Sequence, residues 1–239
     1  MPKTFYLHGK GSANLIGNPT EYGTAPSGDY LNGKQFTYSI WLRPTQAQST
    51  LIWGLPGPVG GINMTSSGES RFQAAGGVGT GVILNTAAQV PIVNNSWNHV
   101  MVSVDAAVDI VHYWINGQEN TTYNERLVED EVLPNFGKEA FFGWNGYSGA
   151  GFIGDVSEFW FDDSFMDLSI QANRDKFLTG SGKPAELGST GQLPTGSTPR
   201  MYLTGNLRDW NNGQNLGTTP DYPTATPYGR PSDTKVMLP

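Results

Sequence analysis

The acidic, aromatic and histidine side chains of this chain set the chemistry it could attempt. Asp155 and Glu158 lie in the run GDVSEFWF, and hydrolysis of a glycosidic bond needs two carboxyl groups about 5–9.5 Å apart across the sugar. On a regular strand, side chains three apart point to opposite faces. The spacing therefore reads as one exposed carboxylate and one strand-edge residue, and no catalytic residue is expected. The histidines are His8, His99 and His112, and there is no cysteine. His99 sits in an alternating run and reads as a hydrogen-bonded structural residue, not a general base. So small a set of His and Cys gives a zinc site little to build on. The phosphate motifs are incomplete too. Gly9-Lys10-Gly11-Ser12 lacks the upstream glycine of a P-loop, and the glycines of Gly77–Gly81 do not open a helix.

Aromatic residues offer a different chemistry. The chain has 7 Trp in 239 residues. A sugar ring stacks on a flat aromatic face while nearby polar groups fix its hydroxyls. Trp53, Trp144, Asn145 and Tyr147 fall in or near loops and form the candidate saccharide-binding set.

The elements that must position these residues are strands. Val100, Val102 and Val104 alternate with His99, Met101 and Ser103, and Val111, Tyr113 and Ile115 repeat the pattern, the period of a half-buried strand. Asn116-Gly117 then supplies a turn in which both residues need positive φ. Strands are also expected at Thr4–His8, Phe36–Leu42, Thr50–Trp53, Gly61–Met64, Arg71–Ala74, Gly81–Leu84, Ala140–Trp144 and Phe152–Phe161, with an acidic loop at Glu125–Glu131. One short helix is expected over Asp167–Leu178, capped by Asp167 or Ser169, with Ile170, Arg174 and Phe177 on one face. Composition agrees, since hydrophobic residues are 37%, charged residues 15%, and there are 31 Gly and 16 Pro. This is the signature of many short strands joined by tight turns, an all-β sandwich.

Composition also excludes partners. A net charge of −7 with scattered Lys and Arg repels phosphates, so nucleic acid is not an expected partner. No 18-residue apolar run supports membrane insertion. The absence of cysteine and of a signal-like apolar N-terminal run points to synthesis and assembly in a cytoplasm, so the sequons at Asn63, Asn94 and Asn120 read as chance. From Pro184 onward the chain carries eight of its 16 prolines. Met201–Leu203 can return as a strand, which sets a first domain at 1–205. Residues 206–239 read as an extended arm, because proline fixes φ and removes ladder donors. Pro220, Tyr222, Pro223, Pro227, Tyr228 and Pro231 are its candidate assembly contacts.

In order, Phe36–Pro44 (FTYSIWLRP), Trp97–Asp105 (WNHVMVSVD), His112–Gln118 (HYWINGQ) and Phe152–Leu168 resemble the concanavalin A-like lectin/glucanase superfamily, in its laminin G-like and pentraxin-like branch. The resemblance implies a jelly-roll sandwich of two antiparallel sheets with Trp41, Trp97 and Trp160 in the core. Relatives that bind calcium through loop carboxylates make Asp162, Asp163 and Asp167 candidate ligands and calcium a possible cofactor. Arg174–Leu203 is similar to a stretch that recurs beside laminin G-like domains in bacteriophage virion proteins, through Phe177, Gly182, Lys183, Pro184, Leu187, Gly188, Gly191, Pro194, Gly196, Pro199 and Leu203. That resemblance implies a non-enzymatic virion structural protein, foremost a capsid decoration protein, with other virion proteins and its own copies as partners. The alternative is a tail- or surface-borne adhesion module for host glycan.

Overall fold

The computed structural model describes residues 5–7, 34–44, 50–54, 60–64, 69–74, 82–86, 90–128, 141–142, 154–199 and 201–203. Thirteen strands among them build two antiparallel sheets. In the first, β1 (Phe5–Leu7), β12 (Gly154–Asp162), β2 (Gln35–Pro44), β7 (Asn98–Asp105), β8 (Ile110–Ile115) and β9 (Gln118–Glu119) lie side by side, and β13 (Met201–Leu203) also pairs with β12. The second runs β10 (Tyr123–Val128), β6 (Val82–Thr86), β5 (Ser70–Ala74), β4 (Gly60–Met64), β3 (Thr50–Gly54) and β11 (Phe141–Phe142). The jelly-roll sandwich expected from the resemblance is therefore observed, and Met201–Leu203 returns as a strand. The candidate arm, residues 206–239, lies outside the described residues.

Alternation fixes the faces. Phe36, Tyr38, Ile40 and Leu42 of β2 and Val100, Val102 and Val104 of β7 are fully buried and face the second sheet. The rings of Phe36 and Tyr38 stand 5.2 and 5.5 Å from Phe72 of β5. The Tyr113 hydroxyl donates to Ser70 Oγ across the same gap at 2.6 Å. At about 1.5–3 kcal/mol per buried large side chain, this layer dominates the stability.

A further layer covers the other face of the first sheet. Met101 and Trp160 point away from the core, where they meet Met166, Leu168, Phe177, Leu187 and Tyr202, with Trp114 and Ala185 packed alongside. Thr37 Oγ1 fixes the start of this cap, donating to the Ser164 carbonyl at 2.9 Å and accepting from the Met166 amide at 2.9 Å. The Arg174 guanidinium lies 3.7 Å from the Trp114 ring centroid, a cation–π contact.

Two local expectations are corrected. The expected helix over Asp167–Leu178 is only α1 (Gln171–Arg174) followed by a 3-10 turn at Asp175–Phe177. Asp167 instead closes the turn before it, accepting from the Ser169 amide at 2.9 Å and the Ser169 hydroxyl at 2.6 Å. Ile170, at the N-cap with extended backbone, has no side-chain cap bond. Local side-chain bonding competes here with helical bonding. Residues 125–128 of the expected acidic loop Glu125–Glu131 are strand, the end of β10, which pairs from Tyr123 opposite Thr86 to Val128 opposite Val82. Cross-strand pairing overrides the low strand preference of its charged residues.

Candidate functional site

The strand β12 that carries Asp155 and Glu158 is not regular. Ser157 lies opposite Trp41 and Trp160 opposite Ser39, so Glu158 and Phe159 together face one residue of β2. Such a bulge re-aims side chains, and Glu158 takes the left-handed φ of 50°. The reading of Glu158 as exposed or at a strand edge is thereby corrected: the residue is 2% exposed. Its carboxylate accepts a 2.9 Å hydrogen bond from the Tyr202 hydroxyl of β13. A carboxylate buried in this way holds β13, the last described strand, against β12.

His99 is structural, as expected. It is buried, its ring stacks on Trp41 with centroids 4.5 Å apart, and its Nε2 hydrogen-bonds Ser39 Oγ at 2.7 Å. Burial lowers its pKa to about 3, so the ring is neutral near pH 7. Among the described residues, Nδ1 has no hydrogen-bond partner and no acid completes a triad. His112 lies at the sheet edge between two carboxylates, with Nδ1 2.8 Å from Glu119 and Nε2 3.2 Å from Asp167. The imidazole bridges these two acids.

Two of the three expected calcium ligands, Asp162 and Asp167, are engaged by nearby side chains, and Asp163 follows Asp162 at the end of β12. Asp162 accepts from Ser164 Oγ, while Asp167 serves Ser169 and His112, and its carboxyl is held below the usual range chiefly by the Ser169 hydroxyl. Among the described residues, no three His, Asp or Glu side chains are grouped so as to hold a metal ion.

Of the candidate saccharide residues, Trp144, Asn145 and Tyr147 lie outside the described residues. Trp53 is in β3, opposite Phe142. The segment 143–153 therefore joins Phe142, beside Trp53, to Gly154, which pairs with Pro44 at the end of β2. At that same end the sequence reading missed a cluster. Trp97, expected in the core, is only half-buried, with the Arg43 guanidinium 5.3 Å from its ring centroid. Asn95, with φ 60°, donates its amide to the Pro44 carbonyl at 2.6 Å. Asn116, with φ 51°, accepts from the His99 amide at 2.9 Å and donates to Asn98 Oδ1 at 3.0 Å. Asn98 is fully buried and also bonds the Val93 amide and the Val93 and Ser96 carbonyls. One asparagine thus ties the loop before β7 to the turn after β8. The available signal was the density of Asn around Trp97, which read only as loop composition.

A laminin G-type family model described as the concanavalin A-like lectin/glucanases superfamily matches residues 17–166, a range that includes β2 and β7. The chain belongs to this superfamily. No curated protein matches it in sequence. Among solved structures it is similar to a Bacteroides ovatus protein provisionally described as carbohydrate binding, at 13% identity and a TM-score of 0.55, over 84% of this chain and 50% of that one. It is also similar to mouse laminin α1 domains LG4-5, at 15% identity and a TM-score of 0.45, over 71% of this chain and 43% of that one. A third is the pentraxin of Limulus polyphemus, at 13% and 0.38, over 70% and 71%. The chain spans about half the length of the first of these. The first of these likenesses speaks to the fold. The superfamily match stops at residue 166, so nearly all of the cap lies beyond it.

Proposed function

We propose that this superfamily member is a non-enzymatic, lectin-like module that binds saccharide through the loops at one end of its sandwich. The observation that carries the reading is the closure of the first sheet's outer face. The cap buries Trp160, Met101 and Tyr202 there, and Glu158 is spent on Tyr202. The loop ends remain for a ligand. The provisional carbohydrate-binding description of the Bacteroides ovatus structure supports the ligand class. A glycan microarray tests it: saccharide binding without release of reducing sugar is expected, and hydrolysis lost in Glu158→Gln would overturn the non-enzymatic reading.

The finer reading is a bacteriophage capsid decoration protein, assembled in the host cytoplasm, whose residues 218–239 clamp neighbouring virion subunits or its own copies. Its support is the resemblance of Arg174–Leu203 to a virion-protein stretch, together with the proline spacing of the tail. An extended, proline-restricted segment loses little entropy on docking. Deleting Thr218–Pro239 should abolish incorporation into particles while the sandwich still folds; unchanged incorporation sinks the idea. The alternative, a tail- or surface-borne adhesion module, expects host-glycan binding that is lost in Trp144→Ala or Tyr147→Ala.

A further inference from the structure

We propose that the end of the first sheet around Trp97 is a platform for the face of a neutral pyranose, with Asn95 and Asn116 reading its hydroxyls. The inference rests on the saccharide-binding reading and gives it residues and a ligand class. Trp97 precedes β7 and is half-buried, with the Arg43 guanidinium 5.3 Å from its ring centroid. An indole in that position offers an apolar face that matches the C–H face of a sugar, with a polar tip. Asn95 and Asn116 are both exposed. Each side-chain amide presents two N–H donors and an oxygen with two lone pairs. Asn116 uses one oxygen position on His99 and one donor on Asn98, which leaves a donor and an acceptor for a ligand. No hydrogen bond engages the Asn95 side chain among the described residues. Hydroxyls donate and accept at once, so amides suit them better than charged groups would.

The platform is also rigid. Fully buried Asn98 anchors Val93, Ser96 and Asn116 together. The Asn95 amide is pinned to Pro44, so little ordering cost falls on binding. A chain charge of −7 repels polyanions, which favours neutral over acidic saccharide.

A microarray of neutral and acidic oligosaccharides, followed by calorimetric titration with the strongest neutral binder, tests the platform. Trp97→Ala should weaken binding by about tenfold or more, Trp97→Phe much less, and Asn95→Ala by about threefold or more. Asn95→Ala should still fold, its melting midpoint lowered by no more than a few degrees for placing alanine at φ 60°, because no described residue bonds its side chain. Binding unchanged in both Trp97→Ala and Asn95→Ala, or hits confined to acidic glycans, overturns the platform. If such binding disappears only in Trp144→Ala, the saccharide-binding reading survives without it. No glycan bound at all overturns both.

Discussion

Glycine 191 illustrates how much a single residue carries in the cap. Its φ is 76°, and a Cβ there would stand 2.7 Å from the Tyr202 ring. Its carbonyl accepts from Trp160 Nε1 at 2.8 Å. Gly191→Ala combines a disfavoured backbone conformation with overpacking, and should cost about 2–5 kcal/mol in urea unfolding. His99 sets a pH dependence. Its folded pKa is about 3 against about 6.5 unfolded, so between these values the unfolded chain binds the extra proton. Stability is thus full above pH 6.5 and falls as pH drops, by on the order of 2 kcal/mol at pH 5. Asp167, held low by Ser169, adds a loss in the same direction at lower pH. Urea midpoints from pH 7 to 4.5 check this, and His99→Gln should flatten the slope.

Among the elements, the loop before β7 and the turn after β8 share the Asn98 side chain. Asn98→Ala would remove the partner of the Val93 amide and of the Asn116 donor, both only partly buried, at about 1 kcal/mol for each lost hydrogen bond. Hydrogen exchange should then rise in residues 93–97 and 116–117 together, before any other part of the first sheet. The β12 bulge works at the same scale. Alternation along Phe152–Phe161 was legible in the sequence, yet it assigned Glu158 to the wrong environment. One inserted residue shifts every later side chain to the other face, and nothing in GDVSEFWF marks where the insertion falls.

For the whole molecule, the cap makes the fold three-layered. Met166, Leu168, Phe177 and Leu187 each contribute about 1.5–3 kcal/mol by burial. Truncation after Ser164 should therefore expose Trp160, Met101 and Trp114, and yield a chain that aggregates or binds a hydrophobic dye. Truncation after residue 217 should leave the melting midpoint within about 2 °C, because it leaves both sheets and the cap intact.

The sequence by itself determined the all-β class, the Val100–Val104 and Val111–Ile115 strands, the Asn116-Gly117 turn and the return of Met201–Leu203. These follow from side-chain period and backbone steric preference, which are local. Tertiary structure alone decided that Tyr123–Val128 is a strand, that Trp97 lies at the surface and Glu158 inside, and that the segment after Met166 covers an outer sheet face. Each depends on what packs opposite, and a one-dimensional pattern does not record its partner.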